Sequence, residues 1–600
     1  MGSLLAPVSA HAAPPPAPFG HSCQPQNGVL FCPTNTLADR VPSFEGTPLD
    51  VDVTLPANAK RGQALPTIVI MHGWGGSKKS YESTSPEGST STTYHWNNVY
   101  FAQRGYAVLT YTARGFGRSC GKEEQSANTP DCQAHRSYIH LADQRWEDHD
   151  TQYLLGLLAD QKVTRPDAIG ATGISYGGGQ SIELAYLRNR TRLTNGTFAP
   201  WKSPGGKSLS LTAAFPRWPW SDLNASLDPN GRFLDSATPS PTESRNPIGV
   251  FLESYNSGLF ALGQSSGTYC GAAPRPPCDD DSADIQRWFA RTQAGEPETP
   301  DARAIADEIF NFHQGFGLSG ATPPPLLIEN GWTDDLFPPR EGIRVYRDVG
   351  SKTPVSLQFG DLGHSRGSNK ANSDHYFNDQ GSAFFDHYLK RSSSSAPAPG
   401  SVTAFTQTCP KTADGKGPFT GSSYDTLAKG QVSFSDGSSQ TVSSDGGNPP
   451  TGANFDPIAN TDACKQTDEE TAPGTAVVQG DTVTQGQEYT LLGLPKVTAT
   501  IATTGNSGQL DSRLWDVGPD GNQMLVSRGA YRLTDNQTGQ ITFQLNGGGW
   551  CFQAGHRPKL ELLGKDEPYL RPSNFPFVVQ VSGVSVSLPT AEATQSGCAG

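Results

Sequence analysis

Ala168-Ile169-Gly170-Ala171-Thr172-Gly173-Ile174-Ser175-Tyr176-Gly177, followed by Gln180-Ser181-Ile182-Glu183-Leu184-Ala185, reads as a buried strand, a glycine-flanked serine and an opening helix. A serine in G-x-S-x-G between a strand and a helix sits on a sharp, strained turn that projects its hydroxyl beyond the sheet edge. The glycines two before and two after it leave room that a Cβ would fill against the neighbouring strand and helix. A bare G-x-S-x-G also arises by chance as a glycine-rich turn with an incidental serine. The strand before Ser175 and the helix after it favour a nucleophile.

Outward from this turn, strands alternate with helices. Residues 45–55 alternate as a strand. Pro66-Thr67-Ile68-Val69-Ile70-Met71-His72 is an unbroken apolar run ending at Gly73, as a strand covered on both faces requires. A helical stretch near 96–104 precedes the strand Tyr106-Ala107-Val108-Leu109-Thr110-Tyr111, and a helix-compatible stretch over 142–161 leads to the nucleophile strand. Ser208-Leu209-Ser210-Leu211-Thr212-Ala213-Ala214 follows as the next strand. The alternation pauses over 216–320, which is rich in aromatic residues and proline, with helical pieces at 283–294 and 301–312. Strands at 325–330 and 355–359 resume it, and a helix over 377–391 closes it. This pattern predicts a mostly parallel α/β sheet. The 216–320 insertion forms a cap over the strand C-terminal edge, where ligands bind.

Arg391-Ser392-Ser393-Ser394-Ser395-Ala396-Pro397-Ala398-Pro399-Gly400 is a linker by composition. Beyond it come short β-prone segments at 487–493, 497–503, 511–516, 523–527, 540–545 and 575–587, the pattern of a sandwich or jelly roll. The expected division is a leader over 1–20, a catalytic domain over 21–215 and 321–391, the cap over 216–320, a linker over 392–400 and a β-module over 401–600.

Six hundred residues exceed one ordinary core. With 45 Lys and Arg against 58 Asp and Glu, and no basic cluster, nucleic-acid and anionic-membrane partners are disfavoured. No apolar run reaches the length of a membrane-spanning helix. The opening residues end in an A-x-A-like stretch, Ala10-His11-Ala12, and read as the tail of a secretory signal, although a basic start is missing. The ten cysteines form five sequential pairs and no C-x-x-C, so zinc and thioredoxin chemistry have no support. Short-range pairs behind a signal-like leader point to disulfides and an extracellular location, and sequential pairing gives the shortest loops.

Ser175 needs a base and an orienting carboxylate, in the chain order Ser, Asp or Glu, His. Asp334 lies in the loop after one strand, Asn330-Gly331-Trp332-Thr333-Asp334-Asp335. His364 lies in the loop after the next, Gly360-Asp361-Leu362-Gly363-His364. Loops after successive parallel strands share one edge, so His364 would take the Ser175 proton and Asp334 would hold the imidazole. Asp335 and Asp361 compete with Asp334. Adjacent residues in an extended loop diverge, and the Gly-x-x-Asp spacing favours Asp334. His72, His140, His149 and His387 read as sheet-edge or helix-face residues. The oxyanion donors are expected to be the Tyr176 N–H at the helix start and the Trp74 N–H in His72-Gly73-Trp74-Gly75-Gly76. Trp218, Trp220 and Trp332 are candidate substrate-binding residues beside Trp74, weighed against ordinary cap packing. Asp279-Asp280-Asp281 could meet a substrate ammonium, but a solvated acidic loop is the commoner fate of such a run.

Four further stretches carry a family resemblance: Arg114-Gly115-Phe116-Gly117-Arg118-Ser119-Cys120-Gly121, Glu147-Asp148, Gly331-Trp332-Thr333-Asp334, and the pair Leu514-Trp515-Asp516-Val517-Gly518-Pro519-Asp520-Gly521 and Val526-Ser527-Arg528-Gly529. With Gly173–Gly178 they resemble the X-Pro dipeptidyl peptidase / cocaine esterase-like family of α/β-hydrolases over about 45–590. The resemblance implies an α/β-hydrolase fold with an inserted cap, and a β-sandwich packed on the catalytic domain. It also implies hydrolysis of an ester, amide or peptide through an acyl-enzyme on Ser175, with no metal or organic cofactor. Esterases of the family often place a tyrosine hydroxyl in the oxyanion hole from the loop corresponding to 72–78. Here that loop reads His-Gly-Trp-Gly-Gly-Ser-Lys, which favours two amides. The competing class is an inactive scaffold that presents the β-module to polysaccharide or another surface, and the complete Ser175, Asp334 and His364 set argues against it.

Overall fold

The central sheet has eleven strands: β1 (Gln24–Gln26), β2 (Val29–Cys32), β3 (Val51–Pro56), β4 (Leu65–Met71), β5 (Ala107–Tyr111), β6 (Thr164–Ile174), β7 (Leu211–Arg217), β8 (Leu326–Gly331), β9 (Val355–Gly360), β10 (Val402–Ala404) and β11 (Phe419–Gly421). Their order across the sheet is β1-β2-β3-β5-β4-β6-β7-β8-β9-β10-β11. Every pairing from β5 to β10 is parallel, with antiparallel strands at both edges. The computed structural model describes residues 16–271, 278, 283–459 and 462–598. Most of the expected leader, and Asp279-Asp280-Asp281, lie outside the described residues.

The unbroken apolar run of β4 serves two cores. Ile68 and Ile70 join Trp96, Phe101, Phe215 and Phe385 on one face, while Val69 and Met71 join Leu109, Leu154, Leu158 and Ile182 on the other. The first face is covered by α1 (Asn98–Gln103) and the long closing helix (Ala371–Lys390). The second is covered by α2 (Glu147–Asp160) and α3 (Tyr176–Leu187). Each fully buried aliphatic side chain there contributes about 1.5–3 kcal/mol.

Between β7 and β8 the insertion folds into α4 (Leu223–Leu227), α5 (Glu253–Ser266), α6 (Ile285–Ala294) and α7 (Pro300–Phe312). Asp284 caps α6 by accepting from Arg287 N (3.1 Å), and Thr299 caps α7, which has Pro300 in its first turn. After β8 comes α8 (Arg340–Val349), and after β9 comes α9 (Ala371–Lys390).

The 392–400 stretch does not separate the sheets. Val402–Ala404 pairs in parallel with β9, and Phe419–Gly421 pairs with it in turn, so the catalytic sheet takes two strands from beyond the expected linker. These strands cover the backbone edge that β9 would otherwise expose. The sandwich itself starts at β12 (Gly430–Ser443) and continues through β13 (Gln466–Asp468), β14 (Ala476–Gln479), β15 (Tyr489–Gly493), β16 (Lys496–Gly505), β17 (Gln509–Val517), β18 (Asn522–Arg532), β19 (Thr538–Gln544), β20 (Gly548–Phe552), β21 (Arg557–Leu563) and β22 (Phe577–Thr590). One sheet runs β19-β16-β22-β15-β20, with β12 also on β22, and the other runs β13-β18-β17-β21-β14. Val497, Leu514, Phe543, Leu560, Val579 and Val586 fill the space between them. Among the described residues no helix is long and apolar enough to cross a membrane.

All ten cysteines pair sequentially: Cys23–Cys32, Cys120–Cys132, Cys270–Cys278, Cys409–Cys464 and Cys551–Cys598. The last two close separations of 55 and 47 residues, and the others 8 to 12. Chain entropy gives a long loop about 4 kcal/mol of stabilisation and a short one about 2.5 kcal/mol. Replacing Cys409 and Cys464 by serine is therefore expected to lower the melting temperature more than replacing Cys270 and Cys278. Equal shifts in a calorimetric scan would contradict this ordering.

Candidate active site

Ser175 occupies a left-handed backbone conformation (φ 59°, ψ −112°) between β6 and α3. Its N–H donates to the Arg217 carbonyl at the end of β7 (3.0 Å), which ties the turn to the neighbouring strand. A Cβ on Gly173 or on Gly177 would collide with the Met71 carbonyl oxygen of β4. The strained turn is thus held by strands on both sides, and the two glycines permit that approach.

The loops after β8 and β9 reach the serine from the same edge. His364 Nε2 lies 2.7 Å from Ser175 Oγ, and His364 Nδ1 lies 2.8 Å from Asp334 Oδ2. Asp334 is fully buried, and its other oxygen accepts from the Leu336 and Phe337 N–H groups at 3.0 Å each. Asp335 points away into a bidentate ion pair with Arg366 (2.7 and 3.0 Å). Asp361 accepts from Thr333 Oγ1 (2.8 Å) and Ser368 N (3.0 Å). The two competing aspartates therefore have other partners, and Asp334 alone of the three contacts the imidazole.

The 72–76 loop passes beside the serine, so that a Cβ on Gly73 would lie 3.8 Å from Ser175 Cβ. Tyr176 opens α3, and its phenol is engaged below the site, accepting from Ala142 N (2.7 Å) and donating to Glu147 (3.1 Å). With both partners engaged, the phenol hydroxyl is committed to the loop below. Glu147 also accepts from His140 N (2.8 Å), and burial pushes its carboxyl up to about 8. In the Arg114–Gly121 stretch, Arg114 makes a bidentate pair with Asp150 (2.7 and 2.6 Å) and Ser119 Oγ donates to Thr112 O (2.6 Å), so this motif builds the loops under the site.

A cavity of about 120 Å³ adjoins Ser175, walled by Trp74, Trp220, Leu223, Phe260, Trp288 and Phe337. That is room for a small acyl or amine group. The expected tryptophans divide. Trp74 and Trp220 line the cavity, and Trp220 is anchored through Nε1 to His313 O (2.9 Å). Trp218 packs with Leu362 and Phe377, its ring 5.8 Å from His364, and its Nε1 donates to Glu329 (2.9 Å). It borders the histidine rather than the cavity. Trp332 lies outside the cavity altogether. It packs at a tilt against Phe359, donates to Phe405 O (3.0 Å) and lies under Gly549 of the sandwich. The sequence showed that it follows a strand, but not that the β-module covers that loop. Trp288, Phe260 and Asp228 also line the cavity, and no sequence motif marks them. Trp288 belongs to a helical face with Ile285, Phe289 and Thr292, a pattern that any packed helix shares. Asp228 lines this cavity and an adjoining chamber of about 570 Å³ bounded by the cap and by Arg532 and Arg571 of the β-module.

These features define a serine hydrolase built on a capped α/β sheet. The family model for the X-Pro dipeptidyl-peptidase (S15 family) matches residues 45–193, and that for the X-Pro dipeptidyl-peptidase C-terminal non-catalytic domain matches residues 355–581, together more than half of the chain. The chain belongs to the X-Pro dipeptidyl-peptidase (S15) family. Among solved structures it is similar to a CocE/NonD family hydrolase from Staphylococcus aureus (13% identity, TM-score 0.57, covering 94% of each chain). It is similar to an α-amino acid ester hydrolase (14% identity, TM-score 0.56, covering 98% of this chain and 100% of that one). It is also similar to an aminopeptidase from a marine-sediment Thaumarchaeota archaeon (13% identity, TM-score 0.56, covering 94% and 98%). At these identities the likeness shows the fold. No curated protein matches the chain.

His72 fixes the start of the loop beside Ser175. Its Nδ1–H donates to Gly73 O (2.7 Å), and its Nε2 accepts from Ala113 N (2.9 Å), a pattern only the neutral ring can make. Burial accordingly lowers its pKa to about 4. Between pH 6.5 and 4 the unfolded chain takes up a proton that the folded chain refuses, so this contribution to stability is lost as pH falls, by about 3 kcal/mol in all. Wild type is expected to exceed His72→Gln in stability at pH 7, with the gap narrowing towards pH 4 in urea titrations. A gap that stays constant would contradict this role.

Proposed function

We propose that this chain is a secreted serine hydrolase that cleaves an ester or amide bond through an acyl-enzyme on Ser175, with His364 as base and Asp334 as orienting acid. The observation that carries this reading is the His364 imidazole bridging Ser175 Oγ and Asp334 Oδ2. In this reading His364 Nε2 takes the Ser175 proton as Oγ bonds to the substrate carbonyl carbon. The carbonyl electron pair moves onto oxygen, beside the Tyr176 and Trp74 N–H groups at the start of α3 and in the 72–76 loop. Collapse of that intermediate expels the alkoxide or amine, which recovers the proton from His364. Water then repeats the sequence on the acyl-enzyme and releases the acid. The apolar cavity supports a small apolar group next to the scissile bond. Five disulfides and the signal-like leader support a location outside the cytoplasm.

Ser175→Ala and His364→Ala are each expected to remove nearly all turnover of p-nitrophenyl esters without unfolding the chain, and the double variant to be little worse than either. Asp334→Asn should lower kcat by about 10⁴. A larger loss from Asp335→Asn or Asp361→Asn would reassign the acid. Equal fluorophosphonate labelling of wild type and Ser175→Ala would favour the noncatalytic, surface-binding alternative.

Asp228 favours a second, narrower reading in which the substrate carries an amino group, as esters of amino acids and peptide N-termini do. Burial raises this carboxyl to about 7, with Arg532 and Arg571 acting in the opposite direction. It is ionised above that pH, where it would attract an ammonium. KM for an aminoacyl ester is therefore expected to pass through a minimum between the ionisation of Asp228 at about 7 and loss of the substrate's ammonium proton at about 8, while KM for the matching deaminated ester stays level. Asp228→Asn should abolish the difference, and parallel pH profiles for the two esters would exclude this reading.

A further inference from the structure

The Val526-Ser527-Arg528-Gly529 motif is remote in sequence from Ser175, Asp334 and His364, yet it abuts the loops that carry the latter two. Asp335, next to Asp334, receives Nε and Nη2 of Arg366, two residues beyond His364. That one ion pair couples the acid loop to the base loop. The β-module closes round it. Arg528 Nε of β18 stands 3.9 Å from Asp335 Oδ2, and the Tyr569 hydroxyl, in the turn after β21, donates to the Asp335 backbone carbonyl (2.9 Å). The Arg528 guanidinium lies over the Tyr569 ring, 4.3 Å from its centroid, and its Nη2 donates to Phe455 O (2.9 Å). Arg366 Nη1 reaches Leu525 O, also in β18 (3.4 Å). Asp335, Arg366, Arg528 and Tyr569 are all at most 3% exposed, so these charges act in a medium that screens them little.

We propose that the β-module sets the geometry of the acid–base pair, with Arg528 and Tyr569 as positioning residues that act on Asp334 and His364 through Asp335 and Arg366. This rests on the assignment of Asp334 and His364 made above. Asp334 must meet His364 Nδ1 with one oxygen and two backbone N–H groups with the other, and the loop holding it follows a strand end with no helix of its own before Arg340. A carboxylate displaced by about 1 Å from its productive place lowers turnover by about 100-fold. A hydrogen bond to the Asp335 carbonyl and a cation beside its carboxylate, both supplied by the sandwich, resist that displacement. The second sandwich motif, Leu514–Gly521, holds the sandwich itself, with Trp515 Nε1 on Glu561 (2.7 Å) and Asp516 accepting from Trp550 (2.9 Å).

The test compares kcat and KM for a p-nitrophenyl ester, per site counted by fluorophosphonate titration, in the full-length chain. Arg528→Met is expected to lower kcat by about 10- to 100-fold with KM within twofold, and Arg528→Lys to recover part of that loss. Tyr569→Phe, which removes one hydroxyl, should lower kcat by about threefold to tenfold. It decides the matter if Arg528→Met does not fold. Val586→Ala, in the sandwich core, should lower the melting temperature and leave kcat unchanged. The proposal is overturned if Arg528→Met and Tyr569→Phe keep kcat within twofold, or if Val586→Ala lowers kcat as much as they do for the same loss of melting temperature. Asp334→Asn in the same series separates the two ideas. Its near-complete loss beside unaffected Arg528 and Tyr569 variants sinks the positioning role alone, whereas an active Asp334→Asn sinks the assignment beneath it.

Discussion

The contact on which the rest of the structure depends is the passage of the Ser175 turn against the Met71 carbonyl at the end of β4. Two glycines permit it, and the Ser175 N–H bond to Arg217 O pins the other side. A left-handed serine costs of order 1–3 kcal/mol and persists only where its surroundings over-determine it. Here β4, β7 and α3 do so, and all three are anchored in the two large apolar cores of the central sheet. Burial far from the serine thus sustains a conformation that would relax in a free peptide.

Around that fixed point the site is assembled from parts that sequence separates widely. His364 and Asp334 come from the loops after β9 and β8. The cavity walls come from the 72–76 loop, the segment after β7 and the cap helices. The chamber beyond it is finished by Arg532 and Arg571 of the sandwich. Buried polar groups are matched to this arrangement. Asp334 has four donors, Asp335 has Arg366, and Glu147 gathers two backbone amides and the Tyr176 phenol. Leaving any of them unpaired in this interior would be expensive. The same economy keeps the Tyr176 hydroxyl bound to Ala142 N and Glu147.

The boundary between the catalytic sheet and the sandwich is correspondingly indistinct. Val402–Ala404 and Phe419–Gly421 complete the catalytic sheet although they follow the Ser/Pro-rich stretch. The match to the C-terminal family model likewise begins at residue 355, within that sheet. Trp332, Asp335 and Arg366 on one side meet Gly549, Tyr569 and Leu525 on the other, so the sandwich backs the loops that carry Asp334 and His364.

The alternation of apolar runs with helical periods, the strand–turn–helix around Ser175, the chain order of the loops holding Asp334 and His364, and the sequential cysteine pairs were legible because each is a local pattern. A one-dimensional chain records local patterns directly. It does not record which sheet an edge strand joins, so nothing local marks Val402–Ala404 as part of the catalytic sheet. Nor does it record which way a loop side chain turns, and only the fold pairs Asp335 with Arg366 and Asp361 with Thr333 and Ser368, leaving Asp334 beside the imidazole. Trp220 and Trp332 have the same chemistry and similar loop contexts, yet one faces the cavity and the other the sandwich. That difference, like the place of Asp228 between two chambers, arises only when segments hundreds of residues apart are packed together, because side-chain direction is settled by long-range contacts that no local pattern encodes.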